Sequence, residues 1–293
     1  MKKQLFLRVS EIPSLIGTNP YANLRPLILR FWEKATPTNY YKTITNLVEK
    51  EVISNPLLRD EDIVKHHSKK YDLDLNSMLN TCKLSKTIKE LQCNKTELIK
   101  HVEQQNQIAD LDKQKLKESL TNLTRTNYGQ YQENSAIDLY CKTVKMNVCD
   151  QQQFKKKKIA TSSHYEWYIT GKIDGIREDN VLVEIKNRVN RLFGTLRDYE
   201  LVQIQIYLNM FKMKQGHLVE CIKIGNKHDI NIIDVPYDHQ YWKNTIKQRL
   251  QFFIDFFYKF MNSNKLKYYF LTESDENINK YYQLNILEQH QLK

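Results

Sequence analysis

The sequence predicts an α/β fold carrying a helical insertion, and three observations point to it. From Tyr128 onward, strand-like and helix-like segments alternate. Residues 50–125 are polar and helix-favouring, with sparse apolar positions such as Ile88, Leu91, Leu98, Val102, Leu116 and Leu120, the spacing of long amphipathic helices. Residues 239–262, rich in Phe and Tyr, read as one strongly apolar helix. With 293 residues, 41% of them hydrophobic, the chain can bury a sizeable core. We expect a single domain over 1–293, with an insertion or cap at 45–125, a core at about 126–236, and a C-terminal helix and tail at 237–293.

Near the N-terminus, Ser10 is a good N-cap and Gly17 a good stop for a short helix. A turn at Gly17–Tyr21 then leads to a second helix through Leu27, Leu29, Phe31 and Trp32. Glu133, Ala136, Ile137 and Tyr140 recur at i, i+3, i+4 and i+7, one face of a helix. Lys155–Lys158 is a charge run, either a solvated loop or a grip for phosphates. Two strands follow, at about 164–176 and 181–187, joined by Arg177–Asn180. Asp198 to Met213 reads as a helix with Asp198 as candidate N-cap. His217–Ile224 and Asp229–Val235 read as strands. The tail beyond Asn262 is aromatic without a clear period.

Composition narrows the classes of function. Lys and Arg number 45 against 34 Asp and Glu, giving a formal charge of +11. That surplus favours a polyanionic partner, because cations that neutralise phosphates release counterions. The five cysteines form no C-x-x-C pair, which suits a reducing compartment and does not spell a zinc site. No apolar run approaches the roughly 20 residues of a membrane span. The apolar start is cut short by Arg8 and Glu11, so no secretory signal is expected. The expectation is a soluble intracellular protein, in host cytoplasm or nucleus if viral. No Gly-rich phosphate loop is present, and His66, His67 and His164 lack ligand spacing. Trp32 and Trp167 suit the core.

The chemistry concentrates in Gly171-Lys172-Ile173-Asp174-Gly175 and Val181-Leu182-Val183-Glu184-Ile185-Lys186. Side chains alternate along a strand, so Leu182, Glu184 and Lys186 share one face, opposite Val181, Val183 and Ile185. A hairpin centred near Asp179 would bring Asp174 roughly opposite Glu184, with Cβ atoms about 4.5–5.5 Å apart. Two carboxylates that close repel unless a cation lies between them. Mg²⁺ or Mn²⁺, one ion or two, would take such oxygen ligands, with the Ile185 carbonyl as a further donor. Lys186 could then orient a water, accept its proton, or offset charge at phosphorus. Gln203 and Tyr207 share a helix face at i, i+4, and amides there could bond a phosphate, the lysine or the water. Glu133 is a carboxylate on an apolar face, which is costly without a partner. Arg188 and Arg191, just past Lys186, are candidates for substrate contact. Taken singly, each short motif also fits an ordinary solvated strand or helix.

Together these residues resemble the lambda-exonuclease/YqaJ-type viral recombinase branch of the PD-(D/E)xK nuclease superfamily. The blocks that match in order are Ser10-Glu11-Ile12 with Gly17-x-Asn19-Pro20-Tyr21; Gly129-x-x-x-Glu133-x-x-Ala136-x-x-x-Tyr140; Gly171-x-x-Asp174-Gly175 with Glu184-Ile185-Lys186; and Gln203-x-Gln205-x-x-x-x-Met210. They span about 10–35 and 128–211. The resemblance implies a restriction-endonuclease-like core, a mixed sheet flanked by helices, and metal-dependent digestion of one strand from a 5′ duplex end. It implies Asp174 and Glu184 as metal ligands, Lys186 as catalytic, Glu133 as an accessory acid, and Gln203 or Gln205 as a supporting amide. Ser10 would lie near a pocket for the 5′-phosphate, with Arg8 or Lys3 as its cation. Ile173 stands where the superfamily nominally has proline, and its iron–sulfur cysteine cluster is not reproduced. Duplex DNA ends are the implied partner; a single-strand annealing protein and an oligomeric state are compatible with it. A structure-specific or nicking endonuclease on the same core, and a non-catalytic DNA-binding recombination factor, are the competing expectations.

Overall fold

A computed structural model of the chain describes residues 2–21, 23–50, 59–224 and 227–288. The expected insertion and tail therefore include residues 51–58 and 289–293 that lie outside the described residues. Strand β1 (Lys3–Arg8) leads through a 3-10 turn (Val9–Glu11) into the one-turn helix α1 (Ile12–Leu15). Gly17 ends it at φ 74°, a conformation glycine adopts without steric cost. Helices α2 (Leu24–Ala35) and α3 (Pro37–Glu49) follow. The insertion consists of α4 (Asp60–Tyr71), α5 (Leu75–Lys83), α6 (Ile88–Glu103) and α7 (Asp110–Tyr131), and α8 (Glu133–Val144) returns to the core. Then come β2 (Val148–Cys149), β3 (Phe154–Thr161), β4 (Tyr165–Lys172), β5 (Gly175–Arg177), β6 (Leu182–Arg188), α9 (Asp198–Phe211), β7 (Gln215–Ile224) and β8 (Lys227–Pro236). The chain closes with α10 (His239–Tyr241), a π-helical stretch (Trp242–Lys247), α11 (Gln248–Asn262), α12 (Asn264–Thr272), α13 (Asp275–Tyr282) and a π-helical turn (Gln283–Glu288).

The strands form two mixed sheets flanked by helices. One has the order β1-β4-β3, with β1 parallel and β3 antiparallel to β4. The other has the order β2-β5-β6-β7-β8, in which only β6 and β7 run parallel. The stretch 164–176, expected to be one strand, is split. Its first part belongs to the small sheet, its last to the large one, and the chain crosses between them at Ile173 and Asp174.

The main core joins Leu5, Leu7, Trp167 and Ile169 of the small sheet to Phe31 and Trp32 of α2, to α9, and to Phe253, Phe256, Phe257 and Phe260 of α11. Each such aromatic contributes on the order of 1.5–3 kcal/mol by leaving water. The insertion has its own core of Leu75, Leu91, Leu98, Leu116 and Leu120, tied to the large sheet by Ile222 and by a hydrogen bond from Asn187 to the Gly129 carbonyl (2.8 Å). No helix among the described residues is long and apolar enough to cross a membrane.

The structure departs from the sequence reading, or adds to it, at several places. Lys155–Lys158 lies within β3 rather than in a loop: alternate lysines face out, and Lys157 turns in to Asn209. β1 had no apparent pattern, since its buried residues are only Leu5 and Leu7. Ser10 sits inside the 3-10 turn and does not cap α1, and Arg197, not Asp198, occupies the N-cap position of α9, without a side-chain capping bond. The aromatic tail forms helices because Ser263 and Ser274 accept backbone amides at their starts.

Candidate active site

The crossing between the two sheets places the candidate residues. β5 and β6 pair antiparallel with Gly175 opposite Val183, so one step further along the ladder sets Asp174 opposite Glu184. One oxygen of Asp174 accepts the Ile185 amide at 2.6 Å, which fixes the side chain against β6. On β6, Val183 and Ile185 pack against Ala136, Ile137 and Tyr140 of α8, while Leu182 joins the main core. The face carrying Glu184 and Lys186 is not open to solvent. Helix α9 covers it, and Glu184 is only 4% exposed.

Glu184, Lys186 and Gln203 close a triangle. Lys186 donates to Glu184 Oε1 at 2.9 Å and to Gln203 Oε1 at 3.0 Å, and Gln203 Nε2 donates to the same Glu184 oxygen at 2.7 Å. Glu184 Oε2 is buried with no hydrogen-bond partner among the described residues. A buried carboxylate oxygen without a donor is costly, and a cation is its natural complement. Burial, then the charges of Glu184 and Glu133, push the Asp174 carboxyl well above its ordinary pKa. Burial followed by the Glu184 charge raises Glu133 likewise. Burial alone would lower the Lys186 pKa, but attraction to Glu184 and the hydrogen bond it donates to that carboxylate, with Asp174 and Glu200 beyond, outweigh it and hold the ammonium above the usual lysine value.

Glu133, the first residue of α8, is bonded by Gln152 from the turn before β3. No sequence pattern marked Gln152, which sits in a turn at φ 61°. Tyr207, one turn after Gln203, donates to the Lys172 carbonyl at 2.9 Å and so pins the crossing. Gly171 makes room for it: a Cβ there would lie 2.6 Å from the Tyr207 ring and 2.6 Å from Val9 Cγ2.

Several expected members stand elsewhere. Gln205 donates to the Pro236 carbonyl and accepts the Asp238 amide, so it secures the end of β8 and is not part of the cluster. Arg188 is not free for a substrate: it binds Glu200 at 2.8 Å and Glu220 at 2.8 Å, both buried. Lys3 lies at the far end of β1, opposite Tyr165, and donates to the Ala35 carbonyl. Arg8 and Ser10 are exposed where β1 ends, and Arg8 lies opposite Thr170, two residues before Lys172. Arg191 is exposed beside Phe193, which Arg188 and Arg197 also flank.

Among the described residues, no three His, Cys, Asp or Glu side chains stand close enough to hold a metal as placed. The donor chemistry fits a hard divalent cation all the same. Oxygen ligands of two adjacent carboxylates, a third at Glu133, and an orphaned oxygen at Glu184 are what such an ion satisfies.

No protein-family model matches the chain, and no curated protein matches it. Among solved structures it is similar to the alkaline exonuclease LHK-Exo from Laribacter hongkongensis, 14% identical, with a TM-score of 0.37 over 68% of this chain and 97% of that one. It is similar to a phage-related exonuclease from Haemophilus somnus 129PT, 13% identical, with a TM-score of 0.36 over 47% and 72% of the two chains. It is also similar to the protein SSO0001, 17% identical, with a TM-score of 0.35 over 55% and 86%. The solved chains that this one resembles thus include exonucleases.

Proposed function

We propose that the chain is a metal-dependent deoxyribonuclease, an exonuclease that digests one strand from a 5′ duplex end in viral or phage recombination or replication. The observation that carries this reading is Glu184: one oxygen is held by Lys186 and Gln203, the other is buried and unpartnered, and Asp174 is across the ladder. Asp174 and Glu184 would hold Mg²⁺ or Mn²⁺, one ion or two, with Glu133 and the Ile185 carbonyl as further oxygens. Such an ion, when bound, polarises a phosphoryl group and makes water a better nucleophile.

The remaining work falls to the chain. Lys186 has three donors; Glu184 and Gln203 take two, which leaves one for a phosphate oxygen or a water. Gln203, bonded to both, fixes the lysine's direction. Tyr207 holds the Lys172 carbonyl and keeps Asp174 in place two residues later. Arg8 and Ser10, exposed at the neighbouring strand end, are the groups available to a terminal phosphate.

The test is end-labelled duplex, with and without a 5′-phosphate, beside closed circular DNA, incubated in Mg²⁺. We expect shortening from the 5′ end and an intact circle. Lys186→Ala, assayed where melting shows it folded, should lose activity by at least about a hundredfold, the scale of one lost transition-state donor. Wild-type rates in that variant would refute the assignment.

A further inference from the structure

The outer face of the small sheet is built differently from its inner face. β4 alternates, burying Tyr165, Trp167 and Ile169 and presenting Glu166, Tyr168, Thr170 and Lys172. β1 presents Gln4, Phe6 and Arg8, and β3 presents Phe154, Lys156 and Lys158. The register aligns these in rows. Phe6, Tyr168 and Lys158 lie side by side, as do Arg8, Thr170 and Lys156, while Phe154 pairs with Lys172.

The rings and cations on this face are already arranged together. Phe6 and Tyr168 stack with centroids 5.7 Å apart. The Lys156 ammonium lies 3.9 Å from the Tyr168 centroid and 4.6 Å from that of Phe6. Phe154 is 66% exposed. Lys158 is paired with Glu166 and Arg8 with Glu11, whereas Lys156 has only the Gln4 amide oxygen as a hydrogen-bond partner among the described residues. Arg8, Lys156, Lys158 and Lys172 thus leave a surplus of positive charge among aromatic rings. Such a surface attracts an anionic ligand and offers flat apolar area to it.

The face is also continuous with the candidate active site. β4 runs from Tyr168 to Lys172, and the next residue but one is Asp174. At about 3.3 Å per strand residue, Tyr168 is roughly 20 Å from that carboxylate.

We propose that this face is a track for single-stranded DNA, with bases stacked on Tyr168, Phe6 and Phe154 and phosphates held by Lys156 and Lys158. Single strands, unlike duplexes, offer free base faces to rings, and rows of lysine follow their backbone. The track deepens the nuclease reading, on which it rests, by giving the strand at the site a defined path. β3 is the strand that contributes most of it, which accounts for an edge strand of four consecutive lysines: Lys156 and Lys158 face the DNA, and edge lysines also deter pairing with other strands.

The experiment is binding of fluorescent oligo(dT) and of a blunt duplex of equal length, in EDTA, to the full chain, to Tyr168→Ala and to Lys156→Ala/Lys158→Ala. The lysine variant alters exposed side chains, so it reports even if Tyr168→Ala folds poorly. We expect oligo(dT) affinity to fall about tenfold in Tyr168→Ala, the scale of one lost stack. The double-lysine variant should lose affinity and lower the salt slope by about 1.4, at about 0.7 per phosphate contact. Duplex affinity should change less than oligo(dT) affinity. Unchanged oligo(dT) affinity in the double-lysine variant would overturn the proposal. So would a loss that is equal for duplex and single strand, which would mark a general anion surface. In a separate cleavage assay in Mg²⁺, wild-type activity of Lys186→Ala would sink the nuclease site without touching the track.

Discussion

Replacing Arg188 separates a structural ion network from a DNA contact. Its guanidinium is 12% exposed and bridges Glu200, 2% exposed, and Glu220, fully buried. Glu220 also accepts the backbone amides of Phe193 (3.2 Å) and Gly194 (2.9 Å) and the Asn231 side chain (3.1 Å). In Arg188→Met the alkyl volume stays but both carboxylates lose their cation. Removing one partner of a buried charge cluster costs about 3–5 kcal/mol. Unfolding entropy of about 2.1 cal/mol/K per residue gives roughly 0.6 kcal/mol/K for a chain of this length, so the melting temperature should fall by about 5–8 °C. Among the described residues the Glu200 carboxylate is hydrogen-bonded by Arg188 alone, so Arg188→Met/Glu200→Met should recover part of the loss. Calorimetry measures the first effect, and duplex binding at 25 °C by the folded variant should match the parent. A variant that melts within about 1 °C of the parent yet loses DNA affinity would refute the structural role and restore the reading from sequence position.

Three further outcomes follow from the geometry. Asp174→Asn keeps an acceptor for the Ile185 amide and removes a charge that Glu184 and Glu133 repel, so it should melt higher without divalent ions and lose any Mg²⁺-induced rise; thermal shift with and without Mg²⁺ checks both, and a retained Mg²⁺ response would count against Asp174 as a ligand. Gly171→Ala should cost about 1–3 kcal/mol by overpacking against Val9 and Tyr207, and should slow cleavage in the folded fraction because Tyr207 loses its hold on Lys172; melting and rate at wild-type levels would contradict that. His217 is held below its ordinary pKa by burial and then by the Arg177 charge, against the pull of Asp234 and Asp179. Its neutral form is favoured in the fold, so the unfolded chain takes up the proton first as pH falls below about 6.5, and stability should decline from there until the folded imidazole titrates; His217→Gln should flatten the melting profile between about pH 7 and 5, and an unchanged slope would count against it.

The fold was legible where periodicity is strong and blind where charge interrupts it. The α8 stripe of Ala136, Ile137 and Tyr140 and the apolar strand β6 are written as plain repeats, because each buries a face against the other. β3 was hidden because four lysines in a row carry no hydropathy alternation, although their exposures alternate once a sheet is present. The break between β4 and β5 was hidden because a change of sheet alters neither composition nor period. It is set by partners 162 residues apart in sequence, Leu7 and Ile169 among them, which no local window contains.

The same distinction governs the candidate site. Asp174, Glu184 and Lys186 could be grouped from sequence because a ladder and a two-residue period fix their relation locally. Gln203 is 19 residues from Glu184, yet it was also legible, because i and i+4 on α9 already tied it to Tyr207. Gln205 and Arg188 show where the inference fails. A two-residue step along α9 turns the side chain by about 200°, from the β6 carboxylate toward the end of β8, so two nearby glutamines cannot serve one cluster. A two-residue step along β6 keeps Arg188 on the face of Lys186, but Glu200 and Glu220 reach it first. Proximity in sequence to a reactive group thus predicts a role only when nothing buried nearby needs the same side chain more. For an arginine beside two acidic residues that the fold encloses, that competing need is the stronger claim.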